Sequence, residues 1–239
     1  LESRPGQFGT VLEDPARYRV QILYTQIDRD ADNRPTFRSF EYRVDPGEYF
    51  YPASTVKLPT AVLALEKLNR LGIGGLDRDT EMLVGDQASG KSVGRYLREV
   101  LLVSDNAAFN HLYDFVGQEP LNRSLRKKGF DGTRIMHRLE IALSVEDNRH
   151  TGPVRFVDGD DVVYSEEAAY SETDFTAPAP IPLGVAAIVG GERLERPKDF
   201  AVKNAYPIQA QHDVIKALMF PDAVDESMRF DLTDEDYAF

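Results

Sequence analysis

The run from Pro52 to Leu71 constrains this chain most. Val56, Val62, Leu63, Leu65 and Leu68 recur at helical spacing, and Gly72 supplies a stop, so a long amphipathic helix is predicted here. Pro59 is compatible with that helix only in its first turn, where a missing N–H costs nothing. At the head of the run stands Ser54-Thr55-Val56-Lys57. Residues three apart share one helix face. An amine is thereby brought within reach of a hydroxyl, an arrangement able to activate serine without histidine. The positive end of the helix dipole would favour negative charge developing at Ser54, and partial burial would lower the pKa of Lys57 toward that of a base. A second motif, Ser104-Asp105-Asn106, opens a later helix and adds a hydroxyl and an amide. Both motifs also satisfy a simpler reading as ordinary helix starts and caps.

Around this helix the pattern is mixed. Arg19 to Ile27 and Phe37 to Val44 alternate apolar and polar residues about a polar turn, Asp28 to Pro35, and predict a hairpin. Helices are predicted over 92–102, 105–116, 120–128 and 208–220, ended by Gly117, Gly129 and Pro221 where those residues occur. From Arg138 to Thr176 the pattern loosens into acidic loop, and the proline-rich 176–182 cannot be regular helix. Thr233 to Asp236 reads as a helix start whose first buried residues would be Tyr237 and Phe239. The predicted class is α+β, a helical lobe with an antiparallel sheet, in one domain over 1–239: an N-terminal hairpin in 1–50 and a mainly helical part in 51–239.

With 239 residues and 42 % hydrophobic content, the chain can bury a sizeable core. A net charge of −12 and a pI near 4.8 make nucleic acid an improbable partner, because phosphate binding needs clustered Lys and Arg. No run approaches the ~20 apolar residues of a membrane span. The absence of cysteine excludes disulfides, thiolate metal sites and cysteine nucleophiles.

Three other patterns compete for attention. Gly85 to Ser92 matches a phosphate-binding loop, with Lys91 for a terminal phosphate and Ser92 for magnesium, but lacks the surrounding strands and crossovers of a nucleotide-binding sheet. Asp28, Asp30 and Asp32 echo a calcium loop, yet Asn33 and Ser39 stand where glycine and glutamate are needed, which favours a solvated turn. His111, His137, His150 and His212 are scattered; His137 and Glu140 would share a face if their segment were helical, without an evident third ligand.

In this order, the two serine motifs resemble those of the penicillin-recognising serine hydrolases, in particular the class A serine β-lactamases. The resemblance runs from the first hairpin onward. It implies that Ser54 is the acylated nucleophile, Lys57 the active-site lysine, and Ser104 the proton shuttle to the leaving nitrogen. It also implies that Asn106 holds the substrate's side-chain carbonyl and Lys57, and that Asn110 pins the active-site loop. Arg138-Leu139-Glu140 lies at the family's separation from Ser104, making Glu140 the residue that would position the deacylating water. Ile141 and Ser144 depart from the proline and asparagine expected after it. The late Lys-Thr-Gly strand has no counterpart. Lys203-Asn204-Ala205 is nearest but lacks hydroxyl and glycine, and Lys91-Ser92-Val93-Gly94 comes too early. The implied picture is a C-terminally shortened chain whose activity would be impaired.

The implied function is serine hydrolysis of an amide or ester through an acyl-enzyme, most directly of a β-lactam, without metal or cofactor. A penicillin-binding-type peptidase or esterase and a non-catalytic binding protein are the alternatives. Small-molecule or peptide-like acyl substrates are the implied partners, and a periplasmic or secreted location is implied by analogy alone.

Overall fold

A computed structural model describes residues 4–239, and the chain divides into two compact units, 1–48 and 49–239. In the first, short helices α1 (Pro5–Glu13) and α2 (Pro15–Tyr18) precede strands β1 (Ile22–Arg29) and β2 (Pro35–Tyr42). The strands pair antiparallel from Ile22↔Tyr42 to Arg29↔Pro35. Thr25 and Ser39 face each other at 2.7 Å across the ladder. In the connecting turn Asp30 Oδ1 accepts from the amides of Asp32 and Arg34 at 2.9 and 2.8 Å. The turn is thus closed by its own backbone amides.

The second unit is built on α3 (Lys57–Leu71), entered through a 3₁₀ turn at Ala53–Val56. The single helix expected from Pro52 is therefore two pieces. Pro59 falls in the first turn of α3, whose amides have no intrahelical acceptor, so the helix runs on past it. Gly72, at φ +59°, ends it. Strands β3 (Glu81–Val84) and β4 (Lys91–Ser92) follow, then α4 (Val93–Val103), α5 (Asn106–Val116), α6 (Gln118–Lys127) and α7 (Val145–Arg149). Next come β5 (His150–Thr151), β6 (Val154–Asp158), β7 (Asp161–Glu166) and β8 (Ala169–Tyr170). The short strands β9 (Pro182–Leu183), β10 (Ala187–Val189), β11 (Glu192–Leu194) and β12 (Lys198–Asp199) lead to α8 (Ile208–Met219) and α9 (Asp234–Ala238).

The core is helical. Leu63, Leu65 and Leu68 of α3 join one buried cluster with Phe109, Leu112 and Phe115 of α5, Leu121 and Leu125 of α6, and Val214 and Ala217 of α8. The antiparallel sheet β4-β3-β6-β7 adds Met82, Val154 and Phe156 to that cluster. Phe156 meets the Phe115 ring edge-on at 5.2 Å.

One sequence expectation needs correcting, and the setting of the phosphate-loop pattern agrees with the reading against it. The stretch read as acidic loop holds β5 to β8. Val154 and Phe156 are buried on one face while Arg155 is exposed on the other, and Gly159 at φ +59° turns the hairpin. Charged residues on the outer face obscured a period of two. Gly85 to Ser92 runs into α4, but it does not start from a parallel strand. It is the turn of an antiparallel hairpin, with Glu81↔Ser92 and Met82↔Lys91. The Gly90 amide donates to Glu81 at 2.7 Å, and Lys91 Nζ is taken by the Glu99 carboxylate at 2.8 and 2.9 Å. Carboxylates occupy the groups a phosphate would need. A Cβ on Gly90 would lie 2.0 Å from the Met82 carbonyl, so this glycine serves strand approach.

At the C-terminus, Thr233 and Asp236 cap α9 reciprocally. Tyr237 and Phe239 remain 41 % and 36 % exposed, rather than starting a buried face. Phe239 lies instead beneath the guanidinium groups of Arg78 and Arg98. The preceding segment is fixed by Glu66 of α3, only 1 % exposed, which pairs with Lys128 at 2.8 Å and Arg70 at 2.9 Å and accepts from the Asp231 amide at 2.9 Å. Removing one member of a buried ion pair strands the other. Glu66→Ala is expected to lower stability by about 3–5 kcal/mol in urea unfolding, whereas the exposed Glu235→Ala is expected to change it by less than about 0.5 kcal/mol.

Candidate active site

Ser54 lies in the 3₁₀ turn and Lys57 is the first residue of α3, so one turn of chain sets their spacing. Ser104 links α4 to α5 in the left-handed conformation, φ +57°, with its amide donating to the Glu99 carbonyl. Asp105 then caps α5, accepting from the Ala108 amide at 2.7 Å. This tight corner turns the Ser104 carbonyl and hydroxyl toward α3.

Lys57 is 3 % exposed. Its Nζ lies 3.3 Å from Ser54 Oγ, 2.9 Å from Ser104 Oγ and 2.6 Å from Asn106 Oδ1, and donates also to the Ser104 carbonyl. Burial pushes its pKa below the ordinary lysine value, and the nearby carboxylates of Asp105 and Glu140 oppose that shift in part. Two of the four acceptors are carbonyl oxygens, which can only accept. A neutral amine has two N–H groups and one lone pair. With both N–H groups on the carbonyls, the lone pair is left for a hydroxyl. The same position can therefore take a proton from Ser54 or exchange one with Ser104.

Asn106 carries the network outward, its Nδ2 donating to Glu140 Oε2 at 2.7 Å. Glu140 is exposed and left-handed, at φ +62°. It is not on a helix, so His137 and Glu140 do not share a helix face. The His137 Nδ1 lies 2.7 Å from the Arg138 carbonyl, and no cluster of three metal-ligating side chains occurs among the described residues.

The segment leading to Glu140 has no regular structure, and buried amide side chains hold it residue by residue. Asn122 bonds the amide and carbonyl of Ile135, both at 2.8 Å. Asn204 accepts from the amides of Met136 and His137 at 2.8 and 3.1 Å. Gln118 donates to the Met136 carbonyl at 2.8 Å, and Asn148 accepts from the Arg138 amide at 2.9 Å. Asn110 closes the series with a reciprocal pair to Leu139, at 2.9 and 3.0 Å. Arg138 adds a buried ion pair to Asp114 at 2.5 Å.

Of the six residues singled out in the sequence, Ser54, Lys57, Ser104, Asn106 and Glu140 form one hydrogen-bonded chain, and Asn110 anchors the loop behind it. Sequence reasoning missed Gln118, Asn122, Asn148 and Asn204. The available signal was an amide on an otherwise apolar helix face, as at Asn122 between Leu121 and Leu125. The Lys203-Asn204-Ala205 segment is part of this tether: Ala205 bridges Arg134 through two backbone bonds of 2.8 Å.

A cavity of about 310 Å³ opens beside Ser54, Lys57 and Ser104, walled by Leu58, Val100, Leu101, Tyr206 and Ile215. Neither Asn106 nor Glu140 lines it. Asn110→Ala would leave a buried amide and carbonyl at Leu139 without partners. A loss of about 1–3 kcal/mol is expected, with faster hydrogen exchange at Leu139 than at core amides of α5.

Comparisons with known proteins place this chain in a family. The sequence profile of the β-lactamase enzyme family matches residues 12–219. No curated protein matches the chain. Among solved structures, similarity extends to a class A β-lactamase of the last common ancestor of Gram-negative bacteria, at 16 % identity and TM-score 0.45. A tryptophan-to-aspartate mutant of such an ancestral enzyme matches at 15 % and 0.46. In both cases 92 % of this chain and 66 % of the other is covered, so the chain spans just under two thirds of their length. A β-lactamase from Sphaerobacter thermophilus matches at 17 % identity and TM-score 0.38, over 56 % of this chain and 53 % of that one. By the profile match over most of its length, the chain belongs to the β-lactamase enzyme family.

Proposed function

We propose that the chain is a serine hydrolase that works through an acyl-enzyme on Ser54, with β-lactams as the leading substrate class. The observation that carries this reading is Lys57 Nζ, buried and within hydrogen-bond reach of both Ser54 Oγ and Ser104 Oγ. In the proposed reaction Ser54 Oγ attacks the carbonyl carbon while neutral Lys57 takes its proton. The Thr55 amide donates to the Pro52 carbonyl, whereas the Ser54 amide, in the first residues of a 3₁₀ turn with no side-chain cap, is suited to the developing oxyanion. The leaving nitrogen or oxygen departs with a proton relayed from Lys57 through Ser104. Asn106 orients Lys57 and the acyl side chain, Asn110 holds the loop, and Glu140 acts on water in deacylation. No helix among the described residues is long and apolar enough to cross a membrane. Export to the periplasm or beyond is proposed on the family alone.

A second reading, a penicillin-binding-type peptidase or esterase with a long-lived acyl-enzyme, is favoured by Ser144. Where the family has a water-sharing asparagine, Ser144 caps α7, donating to Asp147 Oδ2 at 2.7 Å and accepting from the Asp147 amide at 3.0 Å. Its hydroxyl is thereby committed away from a water at Glu140.

Intact-protein mass spectrometry after mixing with benzylpenicillin, and separately with a fluorophosphonate, tests the nucleophile. A covalent adduct is expected on the wild type and none on Ser54→Ala; an adduct that survives the substitution refutes the assignment. Lys57→Met is expected to slow acylation about 10²–10⁴-fold. Glu140→Gln separates the two readings, since a lactamase would accumulate its acyl-enzyme and the slow-deacylating relative would show an unchanged lifetime.

The acid limb of acylation follows from the charges around Lys57. The neutral amine is the active form, so the rate should rise with pH and level off above the lowered Lys57 pKa. Glu140 holds that pKa up. Its replacement by Gln should move the limb to lower pH, measured as the adduct-formation rate against pH. A shift upward would contradict the assigned charge coupling.

A further inference from the structure

We infer that Lys198 and Lys203, beside an aromatic floor made by Tyr51 and Phe200, hold a carboxylate at the far end of the substrate's acyl portion. This deepens the reading of Ser54 as an acylated nucleophile and rests on it.

The floor is built where the chain enters the nucleophile's turn. Tyr49 and Tyr51 precede that turn, and each ring packs on Phe200 at a centroid distance of 5.6 Å. The Tyr51 ring stays open to solvent, the residue being 40 % exposed. The Tyr49 hydroxyl donates to the Asn204 carbonyl at 2.6 Å, while the Asn204 side chain accepts from the Met136 and His137 amides. The 200–204 segment therefore joins the approach to Ser54 to the tethered segment that ends at Glu140. Glu140 and its partner Asn106, proposed to orient the acyl side chain, do not reach the cavity beside Ser104.

Two cations stand here without a counter-charge. The Lys198 ammonium lies 5.6 Å from the centre of the Phe200 ring. Burial lowers the pKa of partly buried Lys203, and Lys198 lowers it further. The same two lysines add to the effect of burial in lowering that of His137. The two ammonium groups thus lie near each other and near the tethered segment. Neither forms an ion pair among the described residues. The adjacent carboxylate, Asp199, is committed to backbone, its Oδ1 accepting from the Ile181 and Ala201 amides at 2.8 and 2.9 Å. The chain has 40 acidic residues against 28 basic ones, so a pair of lysines left without any of them is an unfavourable arrangement. A ligand carboxylate relieves their repulsion, and the chain leading to it gains by covering Tyr51 and Phe200. A neutral chain gains only the second.

Penicillins that differ only at the end of the acyl chain test this: the adipoyl and suberoyl amides of the penicillin nucleus, against the neutral hexanoyl and octanoyl amides. In each, the Ser54 Oγ–acyl bond forms, the lactam carbon–nitrogen bond breaks, and the Ser54 proton ends on the lactam nitrogen. All four share one leaving amine with its carboxylate. The cavity beside Ser54 and Ser104, with the unpartnered buried Tyr206 hydroxyl on its wall, therefore meets the same group throughout. Acylation is read as loss of β-lactam absorbance with protein in excess, and rates are compared within each protein.

The carboxylated member is expected to react about three- to tenfold faster at low salt, with the advantage shrinking as salt is added. A preference at one chain length alone supports the inference and fixes the reach of the subsite. Lys198→Gln combined with Lys203→Gln is expected to bring the ratio to about one, and Lys198→Glu to invert it. The double variant should unfold at the wild-type temperature or above, since it removes a repulsion and no ion pair. A wild-type ratio near one at both chain lengths, or a ratio that the double variant leaves unchanged, overturns this inference and leaves the nucleophile assignment standing. Labelling of Ser54 by a fluorophosphonate while no penicillin reacts overturns the β-lactam reading and this inference with it. No labelling by any of these reagents overturns the nucleophile assignment as well.

Discussion

Everything at the candidate site depends on how one amine is buried. Lys57 has almost no contact with solvent, yet every N–H it can form has an oxygen waiting. A buried ammonium without such partners would be prohibitive, and one with only carboxylate partners would be held protonated. Here the nearest acceptors are neutral: two carbonyls and two hydroxyls. They solvate the charged form moderately and leave the neutral form with a lone pair in a useful direction. Asp105 and Glu140 act on the amine, but Asp105 spends its carboxylate on the α5 cap and Glu140 accepts from Asn106. The site thus keeps its negative charges close enough to tune Lys57 without forming an ion pair with it.

That arrangement requires two pieces of backbone to stay put without regular structure to hold them. The α4–α5 corner is held by helix ends. The 134–140 segment is held by buried amide side chains from α5, α6, α7 and the 204 region. Such groups can donate and accept together, so each replaces one rung of a missing strand or helix ladder. An unpaired peptide group at this depth would cost about 1–3 kcal/mol, so a loop with a rung at nearly every residue has few ways to rearrange.

The sequence exposed the helices well because their apolar faces, caps and glycine stops agree. Ser92, Asp105 and Thr233 cap helices that start where their patterns predicted. It exposed the Ser54–Lys57 spacing for the same reason, since one helical turn determines it. The strands β6 and β7 were hidden because Arg155, Asp158 and Asp161 crowd a hairpin with only one buried face. The tethers at Gln118, Asn122 and Asn204 were hidden for a different reason. An inward amide is indistinguishable from an outward one until the partner segment is known, and those partners lie 13 to 68 residues away. Asn110 was legible only through the family pattern. The cavity wall was not legible at all, because Leu101 and Ile215 come to one cavity only through tertiary packing.

Backbone strain marks the same place independently. Six described residues other than glycine have positive φ, and three of them, Ala53, Ser104 and Glu140, are at this site or directly beside its residues. Each such conformation costs on the order of 1 kcal/mol and persists only where surrounding contacts outweigh it. At Ser104 the strain turns the carbonyl toward Lys57. At Glu140 it ends the tethered segment, with the side chain meeting Asn106. A chain selected for stability alone would place glycine or asparagine at such corners. Serine and glutamate stand there instead, and both contribute side chains to the hydrogen-bonded chain. Local preference yields to side-chain chemistry at these two positions, so the strain and the Lys57 network point to one site by separate physical routes.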